Sequence, residues 1–264
     1  MFFTVNIGNT NTAAAIVDAE GLTTARRRTA SLRKPSAVRH LLARLLRNCP
    51  SADEPLEGAI LASVVPAMLP LVTSALTEFT GRAPLVLDRK LDTGIDLSGY
   101  RGLLGADRIA ACAGGAEACP GPFVVIDLGT ATTMSAVDGH HRFAGGLICP
   151  GLQMGLEALS ERTAQLPDTS LESRPPLFGQ DTRGCLVSGA VHGSAAIVDG
   201  VGASALTELG PGATVVLTGG NARRVVHYLH IPVLHEPELV LQGLAATFRR
   251  HVPAPVLPKV STLV

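Results

Sequence analysis

Two short Gly- and Thr-rich segments carry the residue types that bind phosphate groups. The first is VNIGNTNTAAAIVD at 5–18, and the second is IDLGTATTMSAVD at 126–138. Each reads as a strand, a tight turn centred on Gly8 or Gly129, and a second strand. Because glycine has no Cβ, the backbone of such a turn can approach a ligand closely. Exposed N–H groups and nearby hydroxyls can then donate hydrogen bonds to phosphate oxygens. The hydroxyls in question are those of Thr10, Thr130, Thr132 and Thr133.

The two hairpins can be aligned with each other, and the alignment predicts an internal duplication. Two related halves would meet at the sharp Pro-Gly-Pro break at 120–122. Two unrelated hairpins are the alternative, since Gly and Thr are common in such segments. A third Gly turn, TGGNA at 218–222, could pack against a nucleobase and ribose, although neither a Walker loop nor a GxGxxG fingerprint is present. The alignment sets Gly8 on Gly129, Asn6 on Asp127 and Thr12 on Thr133.

Position 6 carries an amide where a phosphate-handling hairpin is expected to carry a carboxylate. Asp127 occupies the aligned position of the second hairpin, where it can hold a cation beside phosphate oxygens, directly or through water. Asn6 keeps an oxygen acceptor of nearly the same shape but has no negative charge. It therefore attracts a hard divalent cation less strongly. Residues 1 to 17 contain no Asp or Glu, so compensation would come from a distant segment, and Asp127 is the natural candidate.

Composition and charge narrow the class of protein. The 264 residues include 22 basic and 22 acidic side chains, and aromatic residues make up only 3%. A balanced charge gives no general attraction to nucleic acid or to an acidic membrane, so we expect neither partner. We recognise no signal peptide and no run as long as a membrane span. The five scattered cysteines lack metal-ligand spacing, which predicts free thiols in a reducing cytoplasm.

The order of predicted elements is typical of an α/β fold. Helical spacing is present at 35–48, 106–119, 151–166 and 187–209, and strands are predicted within 58–69, 83–88, 123–138 and 213–220. A loop is predicted at 172–179. We expect an N-terminal half at 1–120, a C-terminal half at 121–250 and a flexible Pro-rich tail at 251–264.

Eight motifs together resemble the actin/hexokinase/Hsp70-like phosphotransferase superfamily and, within it, the type III pantothenate kinases. They run in the family order from residue 4 to about residue 250. The resemblance implies a duplicated ribonuclease H-like (actin-like ATPase) fold: two mixed sheets flanked by helices, with the active site in the cleft between them and dimerisation helices in the C-terminal half. The motifs are IGNTNT (7–12), GADR (105–108), DLGTATT (127–133), GGLICPG (145–151), LPDTSLESRPPLFGQDT (166–182), SGAVHG (188–193), TGGNA (218–222) and LVLQGL (239–244).

The resemblance also implies an activity. The protein would phosphorylate pantothenate with ATP to give 4'-phosphopantothenate, the first step of coenzyme A biosynthesis. It would be a cytoplasmic homodimer with active sites at the subunit interface, and it would use Mg2+ with the ATP and a monovalent cation, K+ or NH4+. The family normally carries Asp where this chain has Asn6. A weakened or inactive paralogue that acts in binding or regulation, as in the Bvg accessory factor group, is therefore the alternative. The GADR and GGLICPG motifs argue against a different small-molecule kinase on the same fold.

Residue roles follow from the same resemblance. Asp107 would be the general base that accepts the proton of the pantothenate primary hydroxyl, and Arg108 would pair with the pantothenate carboxylate. Seen alone, this Asp-Arg pair would be interpreted as helix capping and surface charge, and only the resemblance favours the functional role. Thr182 would reach the pocket from the partner subunit. The pocket would also be lined by Tyr100, Gly105 and Ala106.

The remaining implied contacts involve ATP and its cations. Asp127 resembles the ligand of the monovalent cation, and Asn6 stands at a weakened Mg2+ position. The arginines at 26–28 read as a solvated edge rather than a nucleic-acid patch. The implied ATP contacts are Asn6, Gly8, Asn9, Thr10, Gly129, Thr130, Thr132, Gly219 and Gly220.

Overall fold

Two five-stranded mixed sheets form the frame of the protein. The computed structural model describes residues 1–18, 21–30, 34–50, 54–171 and 174–252. The first sheet has the order β3-β2-β1-β4-β5, in which β1 pairs antiparallel with β2 and parallel with β4. Its strands are β1 (Phe2–Ile7), β2 (Asn11–Val17), β3 (Thr23–Ala30), β4 (Gly58–Ser63) and β5 (Leu85–Val86).

The second sheet repeats the first. Its order is β10-β9-β6-β7-β8, and β6 pairs antiparallel with β7 and parallel with β9. Both sheets therefore have the same topology, which confirms the predicted duplication and the two mixed sheets. The strands are β6 (Phe123–Leu128), β7 (Ala131–Val137), β8 (Phe143–Pro150), β9 (Thr214–Thr218) and β10 (Leu234–His235).

The strand register corrects one part of the hairpin alignment. Thr12 lies opposite Ile7 in the first hairpin, and Thr132 lies opposite Leu128 in the second. Thr12 therefore corresponds to Thr132, and the alignment of Thr12 with Thr133 is wrong. The reason is that the turn after β1 is one residue longer than the turn after β6. The register of each outer strand also shifts at the same place, between residues 16 and 17 and between 136 and 137.

Helices cover both sheets and fill the space between them. A buried layer joins side chains from both sheets with those of α3 and α7, while α1 and α2 cover the outer face of the first sheet and α5 that of the second. The helices α3 and α7 lie very close together, since a Cβ on Gly114 would lie 2.3 Å from the carbonyl oxygen of Leu239. The helices are α1 (Pro35–Arg47), α2 (Leu69–Thr80), α3 (Ala106–Ala118), α4 (Leu152–Arg162), α5 (Thr182–Leu209), α6 (Ala222–Val225) and α7 (Leu239–His251).

Most predicted elements are present, with changed bounds. The helix predicted at 187–209 begins at Thr182, because the Asp181 side chain caps it by accepting the backbone N–H of Gly184 at 2.7 Å. The helix predicted at 151–166 ends at Arg162. Residues 172–173 of the predicted loop and 253–264 of the predicted tail lie outside the described residues, and the first residue of that tail, His251, is the end of α7.

The helix α5 is long and apolar enough, by length and composition, to cross a membrane, and 33% of its most apolar window is buried within the protein. Core helices of soluble proteins can have the same length and composition. One face of α5 packs on the second sheet through Val187, Val191, Ala195 and Val198. The opposite face, which includes Ile197, is exposed.

Candidate active site

The turns that follow β1 and β6 face each other and touch. The hydroxyls of Thr10 and Thr130 lie 2.8 Å apart, although 120 positions separate them in the chain. The third Gly turn joins them, since Asn221 donates its backbone N–H to the Leu128 carbonyl at 3.0 Å and its side-chain Nδ2 to the Gly129 carbonyl at 3.3 Å. All three predicted Gly turns therefore meet at one place, at the ends of β1, β6 and β9.

A cleft opens beside these turns and contains most of the predicted site residues. Its inner cavity has a volume of about 180 Å³. A neighbouring cavity of about 560 Å³ shares Arg28, Gly129 and Gly220 with it. The volume of the neighbouring cavity lies within the range of about 300–1,000 Å³ that is common for ligand pockets. The predicted site residues that line the inner cavity are Asn6, Gly8, Asn9, Asp107, Asp127, Gly129, Thr130, Gly219 and Gly220. The outer cavity adds Thr10, Asn221 and Arg224.

Two carboxylates face this cleft from different elements. Asp107 lies in the first turn of α3, and Asp127 lies near the end of β6. Burial raises the pKa of Asp107, and its Oδ1 accepts the backbone N–H of Arg108 at 2.8 Å, which works in the opposite direction. Burial, followed by the charge of Asp107, raises the pKa of Asp127 to about 6, while Arg28 acts to lower it. A negative charge on Asp127 is therefore costly here unless a cation lies nearby.

Glycine is required beside Asp127 for steric reasons. A Cβ on Gly219 would lie 2.3 Å from Asp127 Oδ1, and Gly219 has a φ of +98°, in the region that favours glycine. A Cβ on Gly129 would lie 3.1 Å from the same oxygen. Both glycines thus let the backbone of two turns close around one carboxylate. The similar relation between Gly105 and Asp107, at 2.6 Å, places the GADR glycine in the same role at the start of α3.

The cleft also offers oxygen atoms that suit a hard cation. Asn6 Oδ1 is buried, and within the described ranges it has no hydrogen-bond partner. Asp127 supplies a carboxylate whose pKa stays raised by burial although the charge of Arg28 acts to lower it. Among the described residues, no group of three His, Cys, Asp or Glu side chains is arranged to hold a metal ion. A cation in this cleft would therefore take some of its ligands from outside the protein, as Mg2+ does when it is bound with substrate phosphates.

Arg108 is held away from solvent by its own chain. Its Nε donates to Ser135 Oγ at 3.1 Å, and its Nη2 donates to the Met134 carbonyl at 2.9 Å. The guanidinium lies 5.7 Å from the centre of the Phe143 ring, against which Tyr100 packs edge-on at 5.1 Å. Tyr100 and Arg108 are thus parts of one cluster beside the start of α3. The proposed contacts of this cluster with a substrate carboxylate stay predictions.

Other predicted residues lie outside the lining of the inner cavity. Ala106 begins α3 next to Asp107. Thr182 is exposed at the start of α5 and lines a separate groove between α4 and α5. Thr132 is buried, at 4% exposure. Its neighbour Thr133 lines the cavity instead, because successive side chains of a strand point to opposite faces.

Sequence reasoning missed two charged residues of the cleft. Arg28 lies on the edge strand β3 and lines both cavities, whereas the sequence predicts only a solvated edge for the arginines at 26–28. Glu238 lines the inner cavity just before α7 and pairs with Arg26 at 3.3 Å. The alternation of side chains along β3 places positions 26 and 28 on one face of the strand. The sequence does not show that this face is turned towards the cleft, because that depends on how β3 pairs in the sheet.

The architecture and the cleft define the class of this protein. Two copies of one β-sheet unit place opposed Gly-Thr turns around a pocket with two carboxylates, which is the arrangement of a phosphotransferase with the duplicated actin-like ATPase fold. Two solved structures share this fold. One is a candidate Baf family transcriptional activator from Campylobacter jejuni, with a TM-score of 0.57 and 17% identity, covering 94% of this chain and 98% of that one. The other is the activator of 2-hydroxyisocaproyl-CoA dehydratase from Clostridium difficile with bound ADPNP, with a TM-score of 0.51 and 13% identity, covering 94% and 93%.

Sequence comparison identifies the family. The family model for type III pantothenate kinase matches residues 2–204. A curated type III pantothenate kinase from Exiguobacterium sp. is 33% identical over 254 residues, which are 95% of this chain and 99% of that protein. The chain belongs to the type III pantothenate kinase family, a family of kinases.

The buried Asp127 gives the protein a defined dependence of stability on pH. Since the folded pKa of about 6 lies above the ordinary value of 3.8, the folded state binds more protons than the unfolded state between these values. The free energy of unfolding should therefore fall as pH rises from about 4 to about 6, by on the order of 1 kcal/mol or more. Urea unfolding in tetramethylammonium buffer without Mg2+ or K+ should show this decrease, and D127N should lack it. An equal decrease in D127N would contradict the assignment.

Proposed function

We propose that this protein transfers the γ-phosphoryl group of ATP to the primary hydroxyl of pantothenate, the first step of coenzyme A biosynthesis. The observation that carries the proposal is the cleft of this family member, in which Asp107 faces the two touching Gly-Thr turns. The likeness to the Baf family protein, at 17% identity, concerns the fold alone. No feature of the cleft favours a purely regulatory role, since the two carboxylates and the three Gly turns are those that phosphoryl transfer uses.

The turns would hold the polyphosphate of ATP. Backbone N–H groups of the two turns, with the hydroxyls of Thr10 and Thr130, can donate to phosphate oxygens from both sides of the cleft. The N–H of Gly8 is not among them, since it donates to the Asn11 carbonyl at 2.8 Å. The larger outer cavity, beside Gly220 and Asn221, has the size and position for the adenosine. This division places the terminal phosphate in the inner cavity, next to Asp107.

Asp107 would orient the attacking alcohol. A carboxylate is a weak base towards an alcohol in water, so its main work is to accept a hydrogen bond from the pantothenate hydroxyl and to take the proton late, as the bond to phosphorus forms. Burial raises its pKa and so makes it a somewhat stronger base. The backbone N–H of Arg108, which donates to Oδ1, fixes the orientation of the carboxylate.

Cations would complete the site. Asp127 and Asn6 are the residues that would face them, through the carboxylate and the buried Oδ1 described above. Bound Mg2+ would neutralise charge on the phosphates during transfer, and a monovalent cation, K+ or NH4+, would offset the buried charge of Asp127. The Asn6 side chain offers a dipole but no charge to the metal. We therefore expect turnover to depend more steeply on Mg2+ concentration than it would with Asp at this position.

The pantothenate carboxylate would bind near Arg108. Within the described residues the guanidinium uses two of its five N–H donors for Ser135 and Met134, and the others can serve a ligand. Tyr100 and the start of α3 at Gly105 and Ala106 would form the adjoining wall. We propose Thr182 as a contact supplied by a partner subunit, because it lies at the exposed start of α5, outside the lining of its own inner cavity.

We propose a cytoplasmic homodimer that uses the exposed apolar surface of the second half. A groove of about 400 Å³ between α4 and α5 includes Thr182 and ends at Ile197. Contiguous apolar patches on soluble proteins commonly mark interfaces. The exposed apolar side chains of this region are Leu147, Ile148, Met154, Leu159, Leu177, Phe178 and Ile197.

Substitution I197E should disrupt this interface, because it places a charge in an apolar contact. Sedimentation equilibrium should show a dimer for the wild type and a shift of at least tenfold towards monomer for the variant, with a parallel loss of turnover if Thr182 acts across the interface. Leu22 is also exposed but lies on the other half, so L22E is the matched control. A monomeric wild type, or an I197E dimer of unchanged affinity, would contradict the proposal.

The function itself is tested by measuring ATP binding, pantothenate binding and ADP release separately. We expect both ligands to bind and ADP release to require pantothenate and Mg2+. Product identification by mass spectrometry should show phosphopantothenate. Binding of both substrates with no turnover at saturating Mg2+ would show instead a protein that binds without catalysis.

A further inference from the structure

The arginine at position 28 lies on the same sheet face as Asn6, in one row across three strands. Asn6 on β1 lies opposite Ala13 on β2, and Ala13 lies opposite Arg28 on β3. Residues directly opposite in antiparallel strands point to the same face. Because the middle residue of this row is alanine, a long side chain from β3 can cross it towards the position that lacks a carboxylate.

The guanidinium of Arg28 reaches the opposite half of the molecule. A Cβ on Gly220, in the third Gly turn, would lie 3.2 Å from Arg28 Nη1. Arg28 also interacts electrostatically with Asp127 at the end of β6. Arg28 lines the inner and the outer cavity alike, so its charge lies where the two meet, between the proposed positions of the terminal phosphate and the adenosine.

The hydrogen-bond donors of Arg28 are not used within the described residues, although its charge acts on Asp127. In the part of the chain that the structure describes, it forms no hydrogen bond and no ion pair, whereas Arg26 on the same face pairs with Glu238 at 3.3 Å. The inner cavity otherwise contains the acidic side chains Asp107, Asp127 and Glu238. A polyphosphate entering this cavity would meet three acids, and Arg28 is the one Lys or Arg side chain among the described residues that line it.

We propose that Arg28 is a phosphate-binding residue that takes over, in this chain, part of the work that a cation beside a carboxylate at position 6 would do. This inference rests on the proposed function, since it assumes that ATP occupies the cleft. A guanidinium stays charged at all relevant pH values and forms short charge-assisted hydrogen bonds to phosphate. The consequence is an ATP site that retains affinity for the nucleotide when divalent cations are absent.

Equilibrium binding of ATP tests this proposal without relying on activity. The dissociation constant is measured by calorimetry for the wild type, R28M, R28K and R27M, once with excess EDTA and once with Mg2+. Methionine keeps much of the length of arginine but removes the charge. Arg27 points to the opposite face of β3 because side chains alternate along a strand, so R27M is the matched control for the loss of one positive charge.

We expect R28M to weaken binding of metal-free ATP about 10- to 100-fold, the range for hydrogen bonds to charged groups. The loss should be smaller for MgATP, in which the metal has already neutralised part of the phosphate charge. R28K should restore part of the affinity, R27M should resemble the wild type, and adenosine, measured by displacement, should bind equally to all four proteins.

Two results would overturn the proposal: equal ATP affinity of R28M and the wild type under both conditions, or an equal loss in R27M. The failure of the proposed function is distinguishable from these. A wild type that binds ATP but does not phosphorylate pantothenate would refute the function while a selective loss in R28M still supports Arg28. A wild type that binds no ATP would refute both.

Discussion

Replacing Asp107 with Asn is expected to reduce turnover about 10²- to 10⁴-fold, the usual contribution of a positioned general base, while ATP still binds. Asparagine has nearly the same shape, and its Oδ1 can still accept the backbone N–H of Arg108 that now bonds the carboxylate at 2.8 Å. The fold of α3 should therefore be retained. What is lost is the acceptor for the proton of the alcohol.

Turnover is measured by coupled ADP release at saturating substrates, and ATP affinity by calorimetry on the same preparation. Asp92 provides the control, since it is an exposed carboxylate that does not line the cavity, and D92N should keep wild-type turnover. Full activity of D107N would remove Asp107 from the mechanism. The wild-type rate should also decrease as the pH falls through the pKa of Asp107, which burial raises, and D107N should lose this pH dependence.

Replacing Asn6 with Asp is expected to raise turnover at limiting Mg2+, by roughly tenfold. At this buried position Oδ1 has no partner among the described residues, so a carboxylate there would add a charged ligand for the metal where screening by water is weak. The increase should disappear at saturating Mg2+ if the metal site is then filled in both proteins. The measurement is turnover as a function of Mg2+ concentration.

N48D is the matched control for Asn6, because Asn48 lies at the end of α1, away from the cleft, and undergoes the same chemical change. If Asn6→Asp leaves both the rate and the Mg2+ dependence unchanged, position 6 does not act on the metal. Arg28 adds a second test, since a carboxylate at position 6 lies in its cross-strand row. Combining N6D with R28M should give a smaller Mg2+ dependence than R28M alone, because the added carboxylate strengthens binding of the metal.

The local chemistry of the site was readable from residue types because it depends on short stretches of backbone. A glycine between two strand-like segments is enough to predict a tight turn, and the turns after β1 and β6 form where expected. The apolar spacing of 35–48 likewise predicts α1, whose buried positions include Val38, Leu41 and Leu45. The ends of helices were harder to predict. Because the side chain of Asp181 caps α5, the helix begins five residues before the apolar pattern does. A single capping residue does not change the apolar spacing from which a helix is predicted.

The amino-acid order alone predicted the duplication, the three Gly turns and the family of the chain, and all three are confirmed. These are local patterns and their sequence along the chain. It could not establish which side of a strand faces the ligand or which distant residues share the cleft. Thr133 rather than Thr132 lines the cavity, because Thr133 lies opposite Asp127 and successive side chains of a strand point to opposite faces. Arg28 lines the cleft because it lies opposite Ala13 in the first sheet and because the turn at Gly220 lies next to its guanidinium. Contacts of this kind exist only after the two sheets have packed on each other.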